Sequence, residues 1–167
     1  MNLILFFNGW GMDNNAVASL NIPKDYELKE VHFPYEVNLD QMKYKKIIAI
    51  GWSFGCYYLS KYLQSSKLIC DEIIAVNGHG ELIGKYGINP KMLKMTLETL
   101  TPENLKKFYI NMGIDENFIE PNRDYVEIAN ELRFFCENYS GIANVFTKAI
   151  IADNDKIIPT AKQKKYF

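Results

Sequence analysis

Histidine, cysteine and long apolar runs are what this sequence has least of, and each scarcity rules something out. The three cysteines, Cys56, Cys70 and Cys136, are odd in number and show no C-x-x-C spacing, so neither a disulfide framework nor a zinc site is expected. No apolar stretch approaches a membrane span, which needs about 20 residues. The opening "MNLILFF" holds five consecutive apolar residues with no basic region ahead of them, which suits a strand and not a signal peptide. Neither sign of charge dominates. The 19 Lys and Arg against 20 Asp and Glu leave a net charge of -1, which predicts no general attraction to nucleic acid or to an anionic membrane. Internal repeats and low-complexity tracts are absent. The expectation is a soluble, reduced, cytoplasmic protein with no metal and no cofactor.

What is present is the composition of a globular chain: hydrophobic residues are 48% and charged residues 23% of 167, enough for one domain with its own core. Leu3 to Phe7 reads as a buried strand, followed by the turn "NGWGMD" (8–13) and a short helix over 14–20. "YELKEVHF" (26–33) reads as a second strand, 34–44 as a loop or short helix, and 45–51 as a third strand. A helix from 54 to 64 and a strand "DEIIAVNG" (71–78) follow. Strands alternating with helices predict a parallel sheet covered on both faces. From Pro90 to Tyr139 the periodicity is helical only, with Thr101-Pro102-Glu103 as a helix start, Gly113 as its stop, and a further helix over 123–138. "FTKAIIADNDKIIP" (146–159) returns to strand and loop, and Pro159 opens a last helix.

The chemistry concentrates in "IIAIGWSFGCYYLSKYL" (47–63), where an apolar strand turns through Gly51-Trp52-Ser53-Phe54-Gly55 straight into an amphipathic helix. A serine on so tight a turn, with glycine two before and two after, matches a nucleophile elbow. The glycines are needed because side chains there would collide with the adjoining strand and helix. The serine hydroxyl is thereby held at a helix N-terminus, where backbone N–H groups can meet a developing oxyanion. The plainer alternative is a strand-turn-helix with an incidental serine. In this architecture one oxyanion donor is the N–H after the serine, here Phe54, and the other comes from the loop after an early strand, where Gly9 and Gly11 would let the backbone of Trp10 approach; a glycine-rich turn with a packing tryptophan is the plainer alternative. The acid should follow a late strand, which makes Asp155 the first candidate and Asp153 the second, with helix capping as the alternative for either. A calcium loop fails on Ile157 at the third ligand position and on the missing glycine.

The base is where the pattern stops. Hydrolases of this kind run Ser, Asp, His along the chain, yet His32 and His79 both precede Asp155. His32 closes the second strand and reads as a capping or packing residue. His79 follows the strand after the elbow; a catalytic role for it would require a rewired triad, and a loop histidine near the mouth of the site is the plainer reading.

With these pieces placed, the sequence resembles the BioG-type pimeloyl-[acyl-carrier protein] methyl ester esterases of biotin synthesis, members of the α/β-hydrolase superfamily. The matching stretches are "LILFFNGWGMD" (3–13), "GWSFG" (51–55), "AVNG" (75–78), "GINPKM" (87–92) and "DKIIP" (155–159) with Gln163 and Tyr166-Phe167. The resemblance implies an α/β-hydrolase-like, mostly parallel sheet with a core of 1–87 and 141–167 and a helical cap insert at 88–140. It implies a serine esterase with Ser53 as nucleophile, Asp155 as triad acid, and Trp10 and Phe54 as oxyanion donors. The implied partner is acyl carrier protein bearing the pimeloyl methyl ester, with Met92, Phe108 and Met112 among the cap residues lining an acyl channel. Met95, Leu97, Leu100 and Tyr109 share that pattern, although such spacing also suits ordinary helix packing. Lys91, Lys94, Lys106, Lys107, Arg123 and Arg133 could steer an acidic carrier, or be ordinary solvated charges.

Family members continue past the proline-initiated helix into a last strand and a histidine-bearing loop. A truncated version of the pattern is therefore expected, its C-terminal strand and helix missing and its esterase activity slight; the alternative is a natural short form that folds without the final unit. The other readings are a general short-acyl carboxylesterase or thioesterase, and a non-catalytic module that binds the acyl carrier.

Overall fold

The structure, a computed structural model, describes residues 1–114 and 116–167. β1 (Asn2–Phe7), β2 (Tyr26–Val31), β3 (Ile47–Trp52), β4 (Glu72–Val76) and β5 (Lys148–Ile150) form one sheet in the order β2-β1-β3-β4-β5, with every neighbouring pair parallel. The fold class is therefore α/β, as expected. α1 (Phe54–Ser65) follows β3 and packs against β3 and β1. Three helices intervene between β4 and β5: α2 (Pro90–Glu98), α3 (Pro102–Met112) and α4 (Tyr125–Asn138). α5 (Thr160–Tyr166) closes the order.

The core forms where the apolar residues of β1 and β3 meet α1: Leu3, Leu5, Phe7, Ile47, Ala49, Tyr57 and Leu59 are all buried. Within β3 burial alternates, with Ile47, Ala49 and Gly51 buried and Ile48 and Ile50 partly exposed, so an unbroken apolar run is fully covered on one face only. β5 forms an edge of the sheet, its three residues are exposed, and Ile150 keeps 59% of its surface in solvent.

Helix ends follow local chemistry. Asn89 accepts from the N–H of Lys91 and Pro90 takes the first turn of α2; Thr101 accepts from the N–H of Asn104 ahead of Pro102 in α3. Gly113 ends α3 in the left-handed conformation, φ 85°. The expected helix over 14–20 is shorter than the sequence suggests: it is a single 3-10 turn, Asn14–Val17, capped by Asp13. Val17 is its one buried residue and Leu20 is 51% exposed, so no apolar face exists to stabilise a longer helix. Among the described residues, no helix is long and apolar enough to cross a membrane.

The strand order places a site. From β1 the chain moves outward to β2, then crosses back to lay β3 on the other side of β1. At such a reversal the loops leaving the carboxyl ends of the two central strands diverge and open a crevice. Here those loops are Asn8–Asp13 after β1 and Ser53 after β3.

Candidate active site

Ser53 sits between β3 and α1 with φ 53° and ψ -119°, outside the conformations that side chains ordinarily adopt. Two glycines permit that geometry, for two different reasons. A Cβ on Gly51 would lie 2.7 Å from the Cα of Cys56 in α1, and one on Gly55 would lie 2.0 Å from the carbonyl oxygen of Phe7 in β1. The helix therefore rests on the strand ends almost backbone to backbone. The Ser53 N–H donates to the Val76 carbonyl at 2.9 Å, and no other described residue hydrogen-bonds its hydroxyl. Beneath the turn the Cys56 thiol donates to the Gly51 carbonyl at 3.0 Å. Burial pushes this thiol up to about 12, so it stays protonated and inert.

A cavity of about 360 Å³ opens on Ser53, floored by Gly9, Trp10 and Phe54 and walled by Met92, Phe108 and Met112. Both N–H groups expected to receive an oxyanion, those of Trp10 and Phe54, make no hydrogen bond to a described residue. The pattern around Trp10 is selective. Gly9 N–H donates to the Asn8 side chain at 3.0 Å, Gly11 N–H to Glu131 at 3.2 Å and Met12 N–H to the Gly9 carbonyl at 3.2 Å. Of four consecutive N–H groups, the one at Trp10 has no acceptor among the described residues.

The loop carrying Trp10 is held from the far side by α4 and the segment before it. The Trp10 indole donates to the Ile128 carbonyl at 2.9 Å, and its ring meets Phe108 edge-on with 4.9 Å between centroids. The Arg123 guanidinium reaches both the Met12 carbonyl at 3.2 Å and Glu131 at 2.7 Å. Asn122 N–H donates to Asp13 at 2.7 Å. Glu131 is fully buried, and this desolvation pushes its carboxyl above the ordinary range, opposed by Arg123, Gly11 N–H and the Tyr35 hydroxyl. Removing one partner of such a buried pair typically costs about 3–5 kcal/mol. Arg123 is thus a buried ion-pair partner, its side chain only 7% exposed, and not one of the solvated charges available to an incoming carrier. Glu131 was not legible as a site residue, although a signal existed: it shares the helical stripe of Ile128, Leu132 and Phe135, where an acid is out of place.

Asp155 stands in the loop between β5 and α5, where its neighbours Lys156 and Ile157 border the cavity. One carboxylate oxygen accepts the N–H groups of Ile157 and Ile158 at 2.8 and 2.9 Å. The other accepts the Gln163 side-chain amide at 2.8 Å. Gln163, fully buried, also donates to the Ile158 carbonyl, and its own oxygen has no described partner. Asp153 is exposed beyond the site. Neither histidine lines the cavity. His79 is fully buried: one ring nitrogen lies 3.1 Å from the Tyr86 carbonyl, the other accepts the Glu81 N–H at 3.2 Å, and the ring stacks on Tyr166. Both nitrogens are engaged with backbone, so it is a packing residue. His32 pairs with Glu30 at 2.9 Å, which raises its affinity for a proton.

The sequence matches the family described as Pimeloyl-ACP methyl esterase BioG over residues 1–167. It is 31% identical over 175 residues to a malonyl-[acyl-carrier protein] O-methyltransferase of Bacteroides fragilis, a match covering 97% of this chain and 36% of that protein. The chain thus spans little more than a third of the methyltransferase's length. An uncharacterized protein of Haemophilus influenzae is 30% identical, over 99% of this chain and 82% of its own length. The crystal structure of BioG from Haemophilus influenzae superposes with a TM-score of 0.88 at 29% identity, covering 99% of this chain and 82% of that one. A lipase-esterase related protein of Clostridium acetobutylicum shares the fold, with a TM-score of 0.63 at 14% identity over 98% of this chain and 81% of its own.

Proposed function

The chain belongs to the pimeloyl-ACP methyl esterase BioG family, and from that premise we propose that it acts as a cytoplasmic serine esterase of biotin synthesis, cleaving the methyl ester of pimeloyl carried on acyl carrier protein. One observation carries the proposal: the strained Ser53 shares a cavity with two N–H groups, Trp10 and Phe54, that have no acceptor among the described residues. The apolar walls contributed by Met92, Phe108 and Met112 suit an acyl chain, and the cavity lies within the roughly 300–1,000 Å³ usual for small ligands.

In this reading the Ser53 oxygen adds to the ester carbonyl carbon while its proton passes to an imidazole. The carbonyl oxygen becomes an oxyanion held by the N–H groups of Trp10 and Phe54. The bond to the methoxy oxygen then breaks, and the imidazolium protonates it to methanol. Water attacks the acyl-serine by the same route and frees the pimeloyl carboxylate. Asp155 is the acid that orients the imidazole. The imidazole is assigned to neither His32 nor His79, because neither lines the cavity and both rings are engaged elsewhere. Without an imidazole beside Ser53, ester turnover is expected to be several powers of ten slower than with a complete triad. That same placement favours one other reading, a hydrolase-like module that binds the acyl carrier without chemistry.

The protein, incubated with methyl-pimeloyl acyl carrier protein, is expected to release methanol, and Ser53→Ala to abolish release. Release that persists in Ser53→Ala overturns the assignment. Carrier binding with no Ser53-dependent release places the binding module ahead of the esterase.

A further inference from the structure

The oxyanion loop and α4 meet through a buried carboxylate that the esterase reading does not itself use. Glu131 lies on the apolar stripe of α4 with none of its surface exposed. One of its oxygens accepts both the Gly11 N–H at 3.2 Å and the Arg123 guanidinium at 2.7 Å; the other meets the Tyr35 hydroxyl at 3.1 Å. Tyr35 also reaches the Asn8 carbonyl at 3.1 Å, and Arg123 the Met12 carbonyl at 3.2 Å, so both ends of the loop are bound into the same cluster. Desolvating such a charge is costly, and the Arg123 guanidinium, the Gly11 N–H and the Tyr35 hydroxyl offset that cost. Here the carboxylate takes up the N–H immediately after the one at Trp10.

Resting on the esterase reading above, we propose that Glu131 is a positioning residue, whose carboxylate fixes the Gly11 peptide and thereby leaves the Trp10 N–H free to receive the oxyanion. Gln at this position keeps the hydrogen bonds, although it gives up the charge that balances Arg123 and so costs stability. Its oxygen can accept from Gly11 and Arg123, and its amide can donate to the Tyr35 oxygen while the Tyr35 hydrogen goes to the Asn8 carbonyl. Leu fills similar space but accepts nothing, and a loop displaced by about 1 Å costs on the order of 100-fold in rate.

The test compares Glu131→Leu and Glu131→Gln in the protein, using a soluble short-acyl ester for kinetics and amide hydrogen exchange at Gly11. Glu131→Leu is expected to lower kcat about 100-fold at unchanged KM and to speed Gly11 exchange about tenfold, with α1 protection unaltered. Glu131→Gln is expected to restore both. A folded Glu131→Leu protein with wild-type kcat, or with a raised KM alone, overturns the proposal, as does unchanged Gly11 exchange. Should Glu131→Leu not fold, Tyr35→Phe releases one carboxylate oxygen conservatively. A smaller kcat loss of the same kind then supports the proposal, and no change in kcat or exchange overturns it. A wild-type protein without Ser53-dependent turnover would instead refute the esterase reading, and Gly11 exchange would still decide whether Glu131 holds the loop.

Discussion

Replacing Gly55 by alanine sets two opposing effects against each other at the elbow. Alanine is the better helix former by about 1 kcal/mol, and Gly55 lies in the first turn of α1. Its Cβ, however, would stand 2.0 Å from the Phe7 carbonyl oxygen, 2.5 Å from the Phe7 carbonyl carbon and 2.7 Å from the Asn8 carbonyl oxygen. Carbon needs roughly 3.5 Å to such neighbours, and all three are backbone, so no rotamer change relieves the contact. α1 must retreat from the end of β1 by more than 1 Å, judged against that roughly 3.5 Å separation. Overpacking of this kind costs about 1–3 kcal/mol or more, and with both sides rigid the upper end applies. After subtracting the helical gain, a net loss of about 2 kcal/mol remains, which corresponds to a fall in Tm of roughly 4–8 °C for a chain of this size. Gly9→Ala is the control: its Cβ would meet Trp52 at 3.4 Å, an ordinary contact. Thermal denaturation followed by circular dichroism reads both. A Gly55→Ala protein as stable as wild type, or a Gly9→Ala protein equally destabilised, would refute the steric account of the elbow.

Two further outcomes follow from strain and from protons. Ser53→Gly is expected to raise stability by about 1 kcal/mol, because it relieves the cost of a positive φ and gives back only part of that gain as unfolded-state entropy, while removing the nucleophile; an unchanged or lower Tm would show that the elbow stores no strain. The pH dependence of stability should carry the mark of His79, whose burial lowers its proton affinity below the usual 6.5. Above 6.5 the ring is neutral in both states and its contribution is complete; as pH falls below 6.5 the unfolded chain binds the proton first and stability is lost until the folded ring titrates. His32, raised by its bond to Glu30, acts in the opposite sense: its contribution is complete below 6.5 and is lost as pH rises through its folded value. His79→Phe should therefore flatten the acid-side slope of a denaturation series, and an unchanged slope would assign that slope to other groups.

Local stereochemistry explains what could be read in advance. A glycine two before and two after Ser53 reports a steric demand between residues a few positions apart, so the strand, the turn and α1 follow from the stretch 47–65 alone. The start of α3 at Thr101-Pro102 and its stop at Gly113 are legible for the same reason: caps act within one turn. The helix expected over 14–20 stops at Val17 because Val17 alone in this turn finds a core to enter, which local propensity does not reveal.

The sequence by itself determined the alternating β and α elements, the parallel sheet and the elbow, because periodicity and backbone sterics are encoded within a few residues. It also put forward Trp10 and Phe54 as oxyanion donors beside Ser53 and, through the family resemblance, Met92, Phe108 and Met112 as the lining of an acyl channel. The tertiary structure decided that these residues border one cavity with Ser53. It decided that Arg123 is a buried partner of Glu131, that Gln163 holds Asp155, and that both His79 nitrogens are taken by backbone. Each of these depends on which faces of helices distant in sequence come to rest against the carboxyl ends of β1 and β3. That choice is made by burying the apolar face of the whole molecule at once, and no short stretch of residues contains it.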